Sequence, residues 1–303
     1  MRESILLKGV SKKFGKVSAL DGVDLKLKKG MSIILGANGA GKSTLLRCID
    51  GLYKVDSGTV RVDGIDPYLD DAVHMKLALL SDNYALYDYL SVRDNLKFFG
   101  RLYGLKDSEI IERASTVLKE LDAYNYIDSK VFTLSRGTKQ KVAFCRATIN
   151  NPSIILLDEP TAFLDANASE RIRKYLLRRE REGATVLFVT QKIDEVTRFN
   201  SDIFVIKKGR IVASTDSASL YKSMLKDSYI NVRLARQISS AKLSKITGIE
   251  STNGSRATYI KVRISSSKDI NMIIRELLDA GAEIAGIDYT EPLIEKMSLD
   301  GER

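Results

Sequence analysis

Residues 36–43, GANGAGKS, combine the residue types that proteins use to bind the phosphate groups of a nucleotide. Four residues separate Gly36 from Gly41, and Lys42 and Ser43 follow directly, which is the spacing of a phosphate-binding loop. Glycine lets backbone N–H groups approach phosphate oxygens closely, Lys42 offers positive charge, and the Ser43 hydroxyl is a ligand for Mg²⁺. A short apolar run precedes this segment and a helical pattern follows it. We therefore favour a phosphate-binding loop over a chance glycine turn.

A second segment, IILLDEP at residues 154–160, places two carboxylates at the end of a predicted buried strand. Asp158 follows four apolar residues, and a carboxylate in this position can hold hydrated Mg²⁺. Its neighbour Glu159 can polarise a water molecule for attack on a phosphate. The alternative is that both acids cap the next turn, but the upstream loop makes a shared catalytic site the better interpretation.

A third segment, LSRGT at residues 134–138, precedes a predicted helix. The Ser135 hydroxyl, the backbone N–H groups around Gly137 and the helix dipole together attract an anion. One chain already has a triphosphate cradle at residues 36–43. A second anion site therefore predicts a nucleotide that is shared between two subunits.

The apolar patterns predict the elements that must position these residues. Residues 1–30 alternate around Phe14, which predicts a pair of antiparallel strands. Later apolar runs, separated by helical segments, predict a largely parallel sheet. Between Leu86 and Thr148 the pattern is mostly helical, which predicts an inserted helical lobe. We expect one apolar face of this lobe to be formed by Leu96, Phe99, Leu102 and Tyr103.

The pattern changes after residue 216, where strand, helix, strand, strand, helix and strand follow in turn, as in a ferredoxin-like module. We expect its second helix to bury Ile270, Ile273, Ile274, Leu277 and Leu278. The predicted fold class is α/β. It comprises a P-loop nucleotide-binding domain at residues 1–216, with a mixed, mainly parallel sheet, an antiparallel subdomain and the helical lobe. A small α+β ferredoxin-like domain occupies residues 217–303.

The composition is that of a soluble globular protein, with 44% hydrophobic and 29% charged residues among 303 and a net charge of +9. No run concentrates this charge, which favours a generally solvated basic surface. Cys48 and Cys145 are expected to be reduced core residues, and His74 to be a surface residue. The first residues lack the apolar core of a signal peptide, and the longest apolar run, Ile154 to Leu157, is far shorter than the ~20 residues that cross a bilayer. Any membrane role should therefore be peripheral.

Taken together, these segments resemble the ATP-binding subunits of ABC transporters over nearly the whole chain. The resemblance is carried by GANGAGKST, by LSRGT as the signature, by LLDEP, by FLD as the D-loop ending at Asp165, and by the aromatic residue Phe14. The order and spacing of these motifs are highly specific. A looser resemblance, through the C-terminal segment DYTEPLIEKMSL, is to the ATPases of daunorubicin-resistance exporters.

The resemblance implies a head-to-tail dimer that buries two ATP molecules between the phosphate-binding loop of one subunit and the signature of the other. Phe14 would stack on adenine, with a plain packed aromatic as the alternative. The implied ATP-binding residues are Phe14, Gly36, Ala37, Asn38, Gly39, Ala40, Gly41, Lys42, Ser43, Thr44, Ser135 and Gly137. The implied Mg²⁺ ligands are Ser43, Asp82 and Asp158, and the implied catalytic residues are Glu159 and Gln191.

Two of these residues depart from the family pattern. A histidine that contacts the γ-phosphate and the attacking water is expected directly after Thr190, where this chain has Gln191. A glutamine amide can donate a hydrogen bond, but it cannot carry a proton or a positive charge. Asp82 stands where a glutamine ligates Mg²⁺ and senses the permease, although a shift of one residue would place Asn83 there. We expect ATP binding to be less affected than hydrolysis.

The leading interpretation is an ATP-binding and ATP-hydrolysing energy-coupling subunit of an ABC exporter. Slow hydrolysis caused by Gln191 and ordinary hydrolysis by the retained Glu159 are equally open alternatives, because catalytic groups that act as a unit are not additive. A further alternative is a degenerate ATP-holding subunit paired with an active relative. A non-transport ABC ATPase is disfavoured, because the chain has neither two cassettes nor a long coiled-coil insertion.

The expected partners are an integral-membrane permease and a second ATPase subunit, in a homodimer or in a heterodimer with a related chain. No nucleic-acid partner is expected, because the strand ATYIKVRIS lacks the clustered aromatics of an RNA-stacking surface. The expected location is cytoplasmic, on the inner face of the cell membrane. The C-terminal domain is expected to regulate or to support the dimer.

Overall fold

The computed structural model describes residues 3–196, 198–219, 228–243, 249–252, 256–264 and 267–290. The chain divides into two compact units, residues 1–215 and residues 216–303. The first unit contains every motif with predicted chemistry.

The first unit begins with a three-stranded antiparallel sheet. Its strands are β1 (Ile5–Phe14), β2 (Val17–Leu27) and β4 (Ser57–Val62), in the order β2-β1-β4. The predicted antiparallel pair around Phe14 is confirmed, because Phe14 pairs with Val17 across a tight turn at Gly15. The two-residue alternation of the sequence turns one face of these strands towards the core.

A six-stranded sheet forms the centre of the first unit, in the order β5-β6-β7-β3-β8-β9. Its strands are β3 (Gly30–Leu35), β5 (Leu77–Leu80), β6 (Ile154–Asp158), β7 (Thr185–Thr190), β8 (Asp202–Lys207) and β9 (Arg210–Asp216). The recorded pairings of β3, β5, β6, β7 and β8 are all parallel, which confirms the predicted sheet type. The central strands are buried on both faces, which explains why they read as continuous apolar runs.

The described residues of the first unit form the helices α1 (Lys42–Ile49), α2 (Val92–Leu102), α3 (Asp107–Glu120), α4 (Arg136–Thr148), α5 (Ala166–Arg181) and α6 (Ile193–Val196). Short 3₁₀ turns occupy Asp71–Met75, Tyr124–Tyr126 and Val131–Thr133. One apolar cluster joins α1 to both sheets, and it includes Ile5, Leu45 and Leu156. This packing fixes the beginning of α1 at the end of β3.

Helices α2, α3 and α4 contact one another and form the predicted helical lobe. Leu96 is fully buried in this lobe, but Leu102 is 66% exposed, so its assignment to the same face is wrong. The reason is geometric. At about 100° per residue, position 102 lies about 120° around the helix from position 96.

A buried polar group lies where α1 ends. The carboxyl group of Asp50 has a pKa raised to about 6 by burial, although the charges of His74 and Arg146 oppose the shift. His74, predicted to be a surface residue, is partly buried, and its Nε2 lies 2.6 Å from the backbone oxygen of Asp50. Both cysteines are buried free thiols, as predicted.

The second unit contains β10 (Ser228–Ser239), α7 (Ser240–Leu243), β11 (Ile249–Thr252), β12 (Arg256–Ile264), α8 (Ser267–Asp279) and β13 (Ile284–Thr290). The strand order is β11-β12-β10-β13 and every pair is antiparallel, which is the predicted ferredoxin-like arrangement. On α8, Ile273 and Leu277 are buried, whereas Leu278 is 54% exposed and was wrongly assigned to the apolar stripe. The side chain of Ile270 lies outside the described residues, and so does the part of the segment DYTEPLIEKMSL that follows residue 290.

Among the helices of the described ranges, none combines the length and the apolar character that crossing a bilayer requires.

Candidate nucleotide-binding and catalytic site

The loop at residues 36–43 joins the end of β3 to the start of α1. Gly41 caps α1 with a φ of 106°, and Gly39 has a φ of 75°, both in the left-handed region that favours glycine. A Cβ at Gly36 would lie 2.6 Å from the backbone oxygen of Ile206, so a side chain cannot fit there. The N-terminus of α1 therefore meets a backbone loop that only small residues can form.

Two other segments hold this loop from behind. The backbone N–H of Gly209, in the turn between β8 and β9, donates to the oxygen of Ala40 at 2.9 Å. A Cβ at Gly41 would lie 2.5 Å from the oxygen of Ala19 on β2. The loop is thus closely packed on its inner side.

Lys42 is only 6% exposed and folds back over the loop. Its Nζ donates to the oxygens of Gly36 at 2.8 Å and Ala37 at 3.0 Å, and it lies 4.0 Å from Oε1 of Glu159. Burial lowers the pKa of the ammonium, whereas the charges of Glu159 and Asp158 raise it. Lys42 is therefore a buried cation held at the point where a phosphate would replace the loop oxygens.

Asp158, at the end of β6, accepts a hydrogen bond from the Ser43 hydroxyl. Burial raises the pKa of this carboxyl, the Ser43 bond lowers it, and the nearby charge of Asp82 raises it further. The Ser43 hydroxyl and the Asp158 carboxylate thus lie side by side, and oxygen is the ligand atom that Mg²⁺ prefers. No cluster of three or more His, Cys, Asp or Glu that could hold a metal occurs in the described part of the chain.

Asp82, which the sequence suggests as a third Mg²⁺ ligand, forms an ion pair with Arg47 on α1. Nη2 of Arg47 lies 2.8 Å from Oδ1 of Asp82, whose side chain is largely exposed. The neighbouring Asn83 accepts a hydrogen bond from Ser81. Sequence reasoning missed Arg47, because no local motif links positions 35 residues apart. The arginine supplies a positive charge that offsets the acid.

Glu159 follows β6 in a left-handed backbone conformation with a φ of 44°, which costs a non-glycine residue about 1–3 kcal/mol. Its Oε1 accepts from the backbone N–H of Gln191 at 2.8 Å, and its Oε2 accepts from the Thr190 hydroxyl at 3.1 Å. Burial raises the pKa of the Glu159 carboxyl, while the charge of Lys42 lowers it. The end of β7 therefore holds this carboxylate beside the loop.

Gln191 contributes its backbone to this contact, and its side chain is exposed. Thr190 and Glu195, which contact each other at 3.1 Å, were not predicted as site residues. The available signal was the position of Thr190 at the last place of a buried strand, directly before Gln191. Such positions at the carboxyl edge of a parallel sheet commonly carry function.

The signature residues lie at the beginning of α4. Ser135 is the N-cap, and its Oγ accepts from the backbone N–H of Thr138 at 3.1 Å. A Cβ at Gly137 would lie 2.9 Å from the backbone oxygen of Phe163, so the segment around Phe163 leaves room only for glycine at this position. Among the described residues, no hydrogen bond or ion pair joins this end of α4 to residues 36–43.

A buried contact connects α4 with the segment that follows β6. Nε2 of Gln140 donates to the backbone oxygens of Pro160 at 3.0 Å and Glu159 at 3.3 Å. Further along, Asp165 caps α5 by accepting from the N–H of Ala168 at 2.7 Å. The segment between β6 and α5 is thus fixed at both ends.

Phe14 is 46% exposed at the end of β1. One side of its ring meets Tyr53 edge-on, with ring centroids 5.4 Å apart, and Nζ of Lys12 lies 5.5 Å from its centroid. Tyr53 also contacts Arg47, the partner of Asp82. Phe14 is therefore neither a core residue nor an isolated surface residue.

Comparisons with known proteins agree with this geometry. A family model described as "ABC transporter" matches residues 20–162. The chain is 38% identical over 210 residues to the ABC transporter ATP-binding protein NatA of Bacillus subtilis (strain 168), an alignment that covers 68% of this chain and 85% of NatA. It is 29% identical over 300 residues to the daunorubicin resistance ATP-binding protein DrrA3 of Streptomyces coeruleorubidus, covering 98% of this chain and 95% of DrrA3.

A solved structure is also similar to this chain. The ATP-binding cassette MJ0796, in a dimeric post-hydrolysis state bound to ADP and Pi, matches with a TM-score of 0.65 and 31% sequence identity. The match covers 70% of this chain and 98% of MJ0796. The loop, the strand-end carboxylates and these similarities lead to one conclusion: the chain belongs to the family of ABC transporter ATP-binding proteins.

Proposed function

We propose that this chain is the ATP-hydrolysing, energy-coupling subunit of an ABC exporter of the drug-resistance type. The observation that carries the proposal is the meeting of Lys42, Asp158 and Glu159 at the carboxyl edge of the parallel sheet, with Lys42 Nζ 4.0 Å from Glu159 Oε1. Phosphoryl transfer uses a cation that contacts the phosphates, a carboxylate that holds Mg²⁺ and a residue that orients the attacking water. Lys42, Asp158 and Glu159 would supply these three groups.

ATP would bind with its β- and γ-phosphates on the loop of residues 36–44 and on Lys42. Ser43 and Asp158 would hold Mg²⁺, which neutralises phosphate charge when bound, and Asp82, whose charge raises the pKa of Asp158, would be the third ligand. Adenine would stack on Phe14, whose half-exposed ring is available for this contact.

Glu159 would act as the general base towards the attacking water. Its burial supports this role, because burial raises the pKa of the carboxyl and so increases its affinity for a proton. Lys42 would leave the loop oxygens for the phosphates, since a charged phosphate oxygen is a stronger acceptor than a backbone carbonyl.

The signature would complete the site of a second subunit. Ser135 and the N–H groups around Gly137 form the exposed N-terminus of α4, a ready site for anions. We therefore propose a dimer in which each ATP lies between the loop of one chain and the signature of the other, and dimer closure drives transport.

Gln191 supports slow hydrolysis and favours a second candidate, an ATP-holding subunit paired with an active relative. The side chain of Gln191 carries no charge, although its backbone still positions Glu159. The Arg47–Asp82 pair offsets the second departure, so Gln191 is the stronger cause of a low rate.

The remaining assignments follow from the exporter proposal. An integral-membrane permease would dock on the helical lobe and carry substrate specificity, and the chain would lie at the inner face of the membrane. Residues 217–303 would regulate the ATPase or support the dimer.

The test is nucleotide binding and phosphate release by the purified full-length protein with Mg²⁺. Lys42→Ala should lose ATP binding, whereas Glu159→Gln should retain ATP and lose about 10²–10⁴ in hydrolysis rate. Asp128→Asn, on the exposed surface of the helical lobe, is the matched control. Failure of the unmodified protein to retain ATP, or full hydrolysis by Glu159→Gln, refutes the proposed function.

A further inference from the structure

The hydroxyl of Thr190 lies between two carboxylates. Its Oγ1 is 3.1 Å from Oε2 of Glu159 and 3.1 Å from Oε2 of Glu195. A hydroxyl has one hydrogen to donate, so Thr190 can serve only one of the two acids at a time. The oxygen also accepts from the backbone N–H of Lys192 at 3.0 Å. Because Thr190 is fully buried, bulk water at this position does not supply a second donor for the carboxylate that Thr190 leaves unserved.

Glu195 is held ready to receive this hydrogen bond. Its other oxygen, Oε1, accepts from the hydroxyl of Thr161, two residues after Glu159. The Glu195 side chain is only 12% exposed. Lys192 approaches Oε1 at 3.8 Å, but the lysine is half-exposed, and such pairs contribute little. Oε2 therefore has Thr190 as its recorded hydrogen-bond donor.

Glu159 has both oxygens engaged in this structure. Its Oε1 accepts from the N–H of Gln191, and its Oε2 faces Thr190. A general base needs an oxygen that points at the attacking water. If the Thr190 hydroxyl turns to Glu195, Oε2 of Glu159 is released and the number of hydrogen bonds stays the same. The exchange needs only rotation of a hydroxyl group, and the proton stays on Thr190.

We propose that Thr190 and Glu195 are positioning residues for ATP hydrolysis. Thr190 donates its one proton either to Glu159, which holds the base at rest, or to Glu195, which frees Oε2 of Glu159 for water. Glu195 acts through Thr190 and does not touch the substrate. The inference rests on the proposed function, because it takes Glu159 as the general base.

A double-mutant cycle on the full-length protein tests this coupling, with hydrolysis and ATP affinity measured separately. Glu195→Gln keeps the size of the side chain but makes it a weaker acceptor, so Thr190 stays on Glu159. We expect kcat to fall about tenfold with an unchanged KM for ATP, the difference between a charged and a neutral hydrogen bond. In a Thr190→Val background, the same substitution at Glu195 should leave kcat unchanged, because the hydroxyl is gone. Glu109→Gln in the helical lobe is the matched control.

The outcomes separate this inference from the proposed function. If Glu159→Gln is inactive but Glu195→Gln keeps the full rate, or loses the same factor with and without the Thr190 hydroxyl, the positioning role is wrong. If Glu159→Gln hydrolyses ATP normally, the proposed function itself is wrong. Circular dichroism checks folding, and Thr190→Ala and Glu195→Met replace any variant that fails to fold.

Discussion

Replacing Gln191 with histidine tests whether this position limits hydrolysis. The substitution leaves the backbone N–H that binds Oε1 of Glu159 at 2.8 Å in place, and β7 is buried up to Thr190. The new imidazole would therefore start from the same, well-fixed point at the edge of the sheet. Since the side chain of Gln191 is exposed, the exchange has room and should cost little stability.

The expected gain follows from the chemistry of the two side chains. Deleting a transition-state contact altogether commonly costs about 10²–10³ in rate. Glutamine retains a neutral hydrogen bond, whose net contribution is about 0.5–1.5 kcal/mol, whereas a charged donor contributes about 1.5–3 kcal/mol. The difference of roughly 1.4 kcal/mol corresponds to about a tenfold higher rate.

Single-turnover hydrolysis of radiolabelled ATP, with protein in excess, measures this step directly. Gln191→His should hydrolyse about ten times faster than the unmodified protein, with the same affinity for ATP. Gln191→Ala serves as the control for side-chain loss and should be slower than both. An unchanged or lower rate for Gln191→His would show that Gln191 does not limit hydrolysis, and it would refute the idea of a slow subunit.

Three further predictions concern single positions. Burial raises the pKa of Asp50 from 3.8 to about 6. Its ionisation therefore begins to destabilise the fold above pH 3.8 and has its full effect above about pH 6. Asp50→Asn should add up to about 3 kcal/mol to the free energy of unfolding near pH 7.5 and less near pH 4.5, as measured by urea titration. Arg47→Gln should leave Asp82 unpaired and weaken Mg²⁺-free ATP binding about threefold in fluorescent-nucleotide titrations, whereas Arg93→Gln, which breaks a similar exposed pair, should not. Gly137→Ala should abolish ATP-dependent dimerisation in analytical ultracentrifugation, because its Cβ would lie 2.9 Å from a backbone oxygen; a dimer of normal affinity would contradict the shared site.

Sequence reasoning performed best where the chemistry is local. Residues 36–43 follow one another directly, and Asp158 and Glu159 end a continuous apolar run, so short motifs carry their identity. The parallel sheet followed from the same runs, because strands buried on both faces must be apolar throughout. The structure then brings the loop and the two acids together at one edge of that sheet.

Contacts between distant segments were out of reach. The pairs Arg47–Asp82 and Glu159–Thr190 join residues more than 30 positions apart. Their meeting depends on the order in which β6, β7 and β3 lie in the sheet, which no local pattern specifies. Leu102 and Leu278 were wrongly assigned to the apolar faces of their helices, because each lies about 100° or more around its helix from the buried residues Leu96 and Leu277.

The turn at Gly209 has a practical consequence for shortening the protein. It donates a hydrogen bond to Ala40 from the far side of the phosphate-binding loop, and it lies only a few residues before the second unit begins. A truncation designed to remove the second unit must therefore keep β9 intact through Asp216. A cut upstream of the turn would remove the hydrogen bond from Gly209 to Ala40 that supports the phosphate-binding loop. Any loss of nucleotide affinity would then be attributed wrongly to the missing C-terminal unit.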